Sequence, residues 1–194
     1  YYMAKDTAGK YSVPILWDKE TKTIVNNESS EIIRMLNTVF NEYCETDEQR
    51  ALDLYPKELQ SQIDSVNEWI YPTINNGVYR CGFASTQSAY DAAIIALYQS
   101  LDRVEEILST NRYIAGGNTF TEADLRLFKT LVRFDEVYVV YFKRNVKRIR
   151  DYHHMTNYLR DIMQRFPDIA ATVDMAHIKT HYYTSHHLLN HYAV

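Results

Sequence analysis

Glycine and proline are scarce in this chain, with 5 and 4 residues respectively among 194. These two residue types form many of the tight turns of proteins, so their scarcity disfavours a fold with many short strands and favours helices. The apolar fraction of 46% and the charged fraction of 24% are those of an ordinary globular protein. The chain is therefore expected to form one mostly helical domain, or two small ones.

One pair of strands interrupts the helical pattern near the start of the chain. Residues 13–17 read Val-Pro-Ile-Leu-Trp and residues 23–25 read Thr-Ile-Val, and the polar segment between them is typical of a turn. The pattern predicts a β-hairpin, followed by a helix from Glu28 to Tyr43. Two strands alone are marginally stable, so the hairpin needs other elements to pack against.

The rest of the chain carries apolar residues at helical spacing. The pattern predicts helices at 56–70, 86–110, 121–134, 155–165 and 168–177. Pro72 is expected to end the first of these helices, and residues 75–85 are expected to be irregular. The clearest helix start is at Thr121, because Asp124 follows three residues later, as in a capping box.

The layout predicts two parts: the end of an α/β domain at residues 1–45 and an all-helical domain at residues 46–194. The net charge of −4 argues against a broad nucleic-acid surface, and the basic run 143–150 is interpreted as a solvated loop. No apolar run reaches the roughly 18 residues that a membrane span needs, and no signal-peptide pattern is present. Cys44 and Cys81 lack CxxC spacing and suit a reducing, cytoplasmic compartment.

Two residue types remain as candidates for chemistry. His177 and His181 have the i, i+4 spacing of a helical metal pair, but no carboxylate or Cys accompanies them, so no metal site is predicted. The chain also holds 17 tyrosines. Most of them, such as Tyr90, Tyr98 and Tyr138, are interpreted as residues of the helix core or of an interface.

Six segments spread over nearly the whole chain resemble glutathione transferases, and more closely the Xi class, the glutathionyl-hydroquinone reductases, which are related to the omega class. These segments are 13–18, 27–35, 76–84, 120–124, 131–135 and 177–186. The Val-Pro and Glu-Ser pairs are those of a glutathione-binding, thioredoxin-like half, whereas the Asn-Gly-Val-Tyr and His-Tyr-Tyr segments resemble the Xi class specifically. The resemblance implies an α+β fragment of a thioredoxin-like domain, a β-hairpin plus a helix, followed by the all-α C-terminal domain of these transferases.

The resemblance implies a glutathione site at Val13, Pro14, Glu28 and Ser29. A cis Pro14 would expose the backbone of Val13, which would pair with the cysteinyl backbone of glutathione as an added strand does. The Ser29 hydroxyl and the free N–H groups of a helix start suit the γ-glutamyl carboxylate, and Glu28 suits the ammonium group. The alternative for the Glu-Ser pair is a simple helix cap.

By the same resemblance, Tyr79, Tyr182 and Tyr183 line the pocket for an aromatic glutathionyl-hydroquinone, with glutathione as cosubstrate and no metal. Phenol hydroxyls can hydrogen-bond a hydroquinone oxygen and stabilise charge on a leaving phenolate. Tyr183 faces a different way from Tyr182 on either a helix or a strand. A homodimer through the helical domain is also implied, with no nucleic-acid or membrane partner.

The implied reaction is thiol chemistry. A Cys thiolate attacks the sulfur of a glutathionyl-hydroquinone, releases the hydroquinone and leaves a mixed disulfide, which a second glutathione resolves. In the family this Cys starts the first helix, before the Val-Pro hairpin, so the nucleophile is expected upstream of Tyr1 and no catalytic residue is assigned in this chain. Two alternatives stay open: an omega-like thioltransferase or dehydroascorbate reductase, and a non-catalytic binding or scaffold module.

Overall fold

The computed structural model describes residues 1–7, 9 and 11–192. The chain divides into two compact units, Tyr1–Lys57 and Glu58–Val194. The assignment of residues 1–45 and 46–194 to two domains stays a prediction. Among the described residues, no helix has both the length and the apolar character that crossing a bilayer requires.

The first unit holds a hairpin and short helices. Its elements are β1 (Leu16–Asp18), β2 (Thr23–Asn26), α1 (Ser29–Thr38), a 3-10 turn (Asn41–Tyr43) and α2 (Asp47–Ala51). The two strands pair antiparallel, with Trp17 opposite Ile24. The Asp18 carboxylate closes the turn by accepting a hydrogen bond from the backbone N–H of Glu20 at 2.8 Å. The predicted hairpin is confirmed.

Helix α1 ends at Thr38, so the predicted end at Tyr43 is wrong. The cause is Asn41, whose backbone carbonyl accepts from the Arg50 guanidinium at 3.2 Å and whose side-chain amide donates to the Arg50 carbonyl at 3.3 Å. These bonds to α2 replace the bonds that a continued helix would make. Cys44 follows this turn in a half-buried position.

The second unit is helical. Its helices are α3 (Gln60–Ile70), α4 (Gly77–Gly82), α5 (Gln87–Thr110), α6 (Glu122–Arg133), α7 (Val139–Tyr141), α8 (His153–Arg165), α9 (Pro167–Ala171) and α10 (Met175–Ser185). Its core is made of fully buried apolar side chains, among them Ile63, Ile70, Leu97, Leu101, Leu127, Leu131 and Ile162. The long helix α5 contributes one apolar stripe to this core and contacts both α4 and α8.

Helix α3 ends at Ile70, as predicted from Pro72, but the chain stays helical up to Gly82, so the expectation of an irregular segment at 75–85 is wrong. A π-helical turn, Tyr71–Asn75, joins α3 to α4, and Pro72 lies in the first positions of this turn. The side-chain amide of Asn75 is buried and donates to Thr130 Oγ1 of α6 at 2.7 Å. This tertiary bond holds the segment in helical form where the local pattern indicates a break.

The predicted helix start at Thr121 is confirmed. The buried Asp124 carboxylate accepts hydrogen bonds from the Thr121 N–H at 2.9 Å and from the Thr121 hydroxyl at 3.0 Å. It also accepts from the Ile114 N–H at 2.8 Å and from the Tyr158 hydroxyl at 3.1 Å. Burial raises the pKa of Asp124 to about 6, although these four bonds favour the ionised form.

The last predicted helix, 168–177, is two helices in the structure. Helix α9 ends at Ala171, and α10 begins at Met175 because the Asp174 carboxylate caps it, accepting from the His177 N–H at 2.9 Å. Helix α10 then continues to Ser185, so the segment that contains Tyr182 and Tyr183 is helical.

The basic run 143–150 is a mostly exposed loop, as the charge pattern predicts, but Arg144 and Ile149 within it are buried. Arg144 is 0% exposed, and its guanidinium donates to the Val78 carbonyl. The Tyr98 hydroxyl shares its one proton between the carbonyls of Arg144 and Lys147, at 3.0 and 2.9 Å, and its oxygen accepts from the Lys147 N–H at 3.2 Å. Nε and Nη1 of Arg144 have no partner in the described part of the chain, and burial lowers its pKa to about 10.

Candidate functional site

Three tyrosine hydroxyls form a chain in the second unit. Tyr79 lies on α4, Tyr138 ends the π-helical turn Phe134–Tyr138 between α6 and α7, and Tyr182 lies on α10. The hydroxyl oxygens of Tyr79 and Tyr182 are 2.6 Å apart, and those of Tyr138 and Tyr182 are 2.9 Å apart. Tyr182 bonds to both other members of this chain, and the ring of Tyr79 also packs on that of Tyr138 at 6.1 Å.

One aromatic side chain, Phe142, packs against all three members of this chain. The ring of Phe142 stacks on Tyr138 at 5.5 Å with an interplanar angle of 5°, and it meets the edge of Tyr79 at 5.4 Å. Phe142 is fully buried. It fits because Gly82 has no side chain: a Cβ at Gly82 would lie within 2.7 Å of three atoms of the Phe142 ring. The glycine of the Arg-Cys-Gly segment thus makes room for the ring that holds the tyrosines.

The three tyrosines differ in their access to solvent. Tyr138 is 2% exposed and Tyr182 is 6% exposed, whereas Tyr79 is 37% exposed. Burial raises the pKa of Tyr138 far above its usual range, and burial also raises the pKa of Tyr182. Both buried phenols therefore stay protonated at physiological pH, and Tyr79 is the member of the chain that an external molecule can reach.

Tyr183 does not belong to this hydroxyl chain. Its ring packs against the edge of Tyr141 at 5.0 Å, and its backbone carbonyl accepts from the Asn190 side chain at 2.8 Å. The structure thus brings together Tyr79 and Tyr182, which are 103 residues apart in sequence, and directs Tyr183 to a different neighbour. The roles of the three residues in binding stay predictions.

The sequence does not mark two residues of this region as site residues. The helical pattern indicates a packing role for Tyr138, and the π-helical turn that directs its hydroxyl toward Tyr182 leaves no local signal. His186 follows α10, and its ring lies edge-on to Phe83 at 5.5 Å and to Tyr182 at 5.9 Å. Its Nδ1 is buried without a partner among the described residues, and burial lowers its pKa.

The residues assigned to glutathione lie in the first unit. The Val13-Pro14 bond is cis, and both residues are exposed. Glu28 precedes α1, and its carboxylate accepts from the Ser30 N–H at 3.3 Å, so it forms the helix cap that was the alternative for the Glu-Ser pair. Ser29 is half-buried at the first position of α1, with its hydroxyl 3.5 Å from the Glu28 carboxylate. A helix start with a Ser hydroxyl suits a carboxylate ligand.

The cysteines of this chain lie outside both groups of residues. Cys81 is buried, and burial raises the pKa of its thiol although Arg144 acts in the opposite direction. A buried thiol with a raised pKa is a poor nucleophile. Within the ranges that the structure describes, no group of three or more His, Cys, Asp or Glu side chains is arranged to hold a metal ion.

Comparison with known proteins agrees with this architecture. Residues 87–171 match the family model of the glutathione S-transferase C-terminal domain. The glutathionyl-hydroquinone reductase YqjG of Escherichia coli is 52% identical over 183 residues, which are 94% of this chain and 54% of that protein. The crystal structure of the glutathione transferase Xi from Phanerochaete chrysosporium superposes with a TM-score of 0.93 at 51% identity, covering 100% of this chain and 64% of the other. The chain belongs to the Xi class of the glutathione transferase superfamily. The resemblance seen in the six segments is therefore confirmed.

Other similar proteins carry a different name, omega-like, or have been solved with glutathione bound. The glutathione S-transferase omega-like 2 of Schizosaccharomyces pombe is 46% identical over 184 residues, which are 93% of this chain and 58% of that protein. The glutathione-bound structure of YqjG from Escherichia coli superposes with a TM-score of 0.91 at 49% identity, covering 100% of this chain and 61% of the other. This chain thus spans somewhat more than half the length of the curated relatives that it matches.

Proposed function

We propose that this chain is part of a Xi-class glutathione transferase that reduces glutathionyl-hydroquinones with glutathione. The observation that carries the proposal is the hydroxyl chain of Tyr138, Tyr182 and Tyr79, which ends in a partly exposed phenol. Hydroxyl donors of this kind suit the oxygens of a hydroquinone. The names of two relatives, glutathionyl-hydroquinone reductases of Escherichia coli and Sphingobium chlorophenolicum, support the substrate class.

We further propose that glutathione is the cosubstrate and that the first unit contributes to its binding. The Val13 backbone would bond the cysteinyl part of glutathione beside the cis Pro14, and Ser29 at the start of α1 would bind the γ-glutamyl carboxylate. Glu28 would meet the ammonium group with the carboxylate that caps α1. The glutathione-bound structures of YqjG and of the yeast Xi transferase ECM4 support this assignment.

The proposed reaction uses a cysteine thiolate that precedes this chain in the full-length protein. The hydroquinone first shifts to its keto tautomer, in which one hydroxyl gives up its proton and the ring carbon that bears the sulfur takes up a proton. As the thiolate then bonds the glutathionyl sulfur, the carbon–sulfur bond breaks and its electron pair passes to the carbonyl oxygen, which takes up a proton as the hydroquinone leaves. A second glutathione thiolate then attacks the mixed disulfide, which restores the enzyme thiol and yields glutathione disulfide.

In this scheme the tyrosines act on the hydroquinone oxygen. Negative charge spreads to that oxygen while the carbon–sulfur bond breaks, and Tyr79 donates a hydrogen bond to it. The hydroxyl oxygen of Tyr182 lies 2.6 Å from that of Tyr79 and hydrogen-bonds to it. Tyr183 would contribute to the substrate pocket by packing its ring against Tyr141 rather than through the hydroxyl chain.

The fuller architecture is also part of the proposal. Residues 1–45 would form the C-terminal part of a thioredoxin-like domain, and residues 46–194 would form the helical domain. A homodimer would form through the helical domain. The longer relatives support a segment that completes the thioredoxin-like half, since this chain spans 54% of YqjG.

The two binding functions can be separated by mutation in the full-length protein. We expect Tyr79→Phe to lower the rate of hydroquinone release by about tenfold or more, because it removes one hydrogen bond to a charged oxygen, while the affinity for glutathione stays the same. Ser29→Ala should weaken glutathione binding instead. Hydroquinone is measured by chromatography and glutathione affinity by calorimetry. Equal losses of both properties in Tyr79→Phe would contradict the assignment.

A second candidate function is an omega-like thioltransferase or dehydroascorbate reductase. The omega-like names of the fission yeast and budding yeast relatives favour it. Substrate competition separates the two candidates: a hydroquinone reductase turns over glutathionyl-hydroquinones much faster than dehydroascorbate or a small disulfide. The reverse order of rates would support the second candidate, and absence of turnover with all three would support a non-catalytic binding module.

A further inference from the structure

An aromatic surface continues from Tyr79 to the end of α4. Phe83 lies four positions after Tyr79, and its backbone N–H donates to the Tyr79 carbonyl at 2.9 Å, so both side chains lie on the same face of the helix. Both rings pack on Phe142, with ring centres 5.4 Å away for Tyr79 and 5.6 Å away for Phe83. Phe142 thus holds Phe83 beside the phenol that we assign to the substrate oxygen.

Phe83 is fixed in place and yet left uncovered. Besides Phe142, the ring of His186 packs on it edge to face at 5.5 Å, with an interplanar angle of 88°. The Phe83 side chain is nevertheless 46% exposed, whereas Phe142 is fully buried. A single exposed apolar residue needs no explanation, but this ring extends the surface that carries the partly exposed Tyr79 hydroxyl.

A polar group and an exposed ring at this spacing suit a ligand with the complementary pair of features. Helix positions four apart have Cβ atoms about 5–6 Å apart, a distance that one hydroxylated aromatic ring can bridge. Its oxygen would then accept from Tyr79, and its ring would contact Phe83 in an offset or edge-to-face arrangement. Dehydroascorbate and a small aliphatic disulfide have no aromatic ring, so Phe83 offers them no such contact.

We propose that Phe83 is a specificity-determining residue, which binds the aromatic ring of the glutathione adduct while Tyr79 bonds its oxygen. The inference rests on the proposed function for the identity of the substrate. It deepens that function by assigning the choice of aryl over alkyl adducts to one side chain outside the tyrosine cluster.

The binding test uses two thioethers of glutathione. S-phenylglutathione carries an aromatic ring without a hydroxyl, so it forms no keto tautomer and is not cleaved, and S-methylglutathione has no ring. Calorimetry with the full-length protein should show that the wild type binds S-phenylglutathione about three- to tenfold more tightly than S-methylglutathione. Phe83→Leu should lose most of this preference, while its affinity for S-methylglutathione changes less than about twofold.

Two control variants isolate the effect of the ring. Phe83→Tyr keeps an aromatic ring and should keep the preference. Tyr71→Leu removes another exposed ring, 41% exposed and packed under the Arg126 guanidinium instead of in this surface, and it should also keep the preference. In kinetics with a glutathionyl-hydroquinone, kcat/KM should fall about three- to tenfold in Phe83→Leu, mainly through a higher KM, and stay unchanged in Tyr71→Leu.

The binding results separate the inference from the function on which it rests. Equal affinities of the wild type for the two thioethers would overturn the inference. A preference that survives in Phe83→Leu, or an equal loss of both affinities in that variant, would overturn it as well. If the preference depends on Phe83 but the wild-type protein releases no hydroquinone, the proposed reaction fails and the aryl-binding role of Phe83 stands.

Discussion

Gly82 is the position where the smallest change in sequence should disturb the tyrosine cluster most. A Cβ added at Gly82 would lie within 2.7 Å of three atoms of the Phe142 ring, which is closer than carbon atoms approach in proteins. Phe142 is fully buried and stacks on Tyr138, so the ring cannot turn away without moving its neighbour. Gly82→Ala therefore forces a shift in the support of Tyr138 and Tyr79.

The expected loss of stability follows from two opposing effects. Overpacking a core by one methyl group costs about 1–3 kcal/mol, and alanine is favoured over glycine within a helix by about 0.5–1 kcal/mol. The net expectation for Gly82→Ala is a free energy of unfolding that is lower by about 1–2 kcal/mol. Gly77 provides the matched control, because a Cβ there would lie 3.7 Å from Leu97 Cδ1, at an ordinary contact distance. Gly77→Ala should be neutral or stabilising by up to about 1 kcal/mol.

The assay is urea unfolding of the full-length protein, followed by tryptophan fluorescence and by circular dichroism. Hydroquinone release is measured on the same samples, and it should fall in Gly82→Ala and stay unchanged in Gly77→Ala. Equal stability of the two variants would refute the reasoning, since the contact with Phe142 would then carry no strain. If Gly82→Ala is destabilised but fully active, the packing of Phe142 affects stability and does not affect hydroquinone release.

Two further predictions concern buried charges. Because the pKa of Asp124 in the folded protein is about 6, above its value of 3.8 in an exposed setting, folding favours the protonated carboxyl, and the wild type should lose roughly 3 kcal/mol of stability relative to Asp124→Asn between about pH 4 and pH 7. Unfolding midpoints measured at several pH values test this, and a wild-type stability that stays constant or rises with pH relative to Asp124→Asn would contradict it. Arg144→Met should leave the free energy of unfolding unchanged or raise it by up to about 2 kcal/mol, because the guanidinium is fully buried without a carboxylate partner in the described ranges. Urea unfolding tests this. A loss of about 2 kcal/mol or more would show that the hydrogen bond to the Val78 carbonyl outweighs the cost of desolvating the guanidinium.

The elements that the sequence predicts correctly are those with local causes. The hairpin follows from two apolar runs around a polar turn, and the start of α6 follows from Thr121 and Asp124 at capping-box spacing. The long helix α5 follows from an apolar stripe that is repeated over 24 residues. In each case the residues that determine the structure are neighbours in sequence.

The elements that it misses are determined by contacts between distant residues. Pro72 indicates a helix end, yet Asn75 bonds Thr130 on another helix and keeps the segment helical. The basic run 143–150 is mostly exposed as expected, yet the side chain of Arg144 within it is fully buried and donates to the Val78 carbonyl. No periodicity or spacing within a single segment reports such contacts.

The candidate site shows the same division. Tyr79 and Tyr182 lie 103 residues apart and came from the family resemblance rather than from any pattern within the chain. Tyr138 carried no signal at all, because its contribution depends on a π-helical turn and on the position of α10. Local sequence thus predicts helices well and hydroxyl networks poorly.

The central claim is that the full-length protein uses glutathione to release hydroquinone from its glutathionyl adduct, with Tyr79 as a donor to the leaving oxygen. Its most direct test is the product balance of a reaction that contains the protein, glutathione and a glutathionyl-hydroquinone. The account predicts one hydroquinone and one glutathione disulfide for each adduct consumed, at a rate that falls about tenfold or more in Tyr79→Phe. Adduct consumption at the uncatalysed rate, or an equal rate in wild type and Tyr79→Phe, would contradict it.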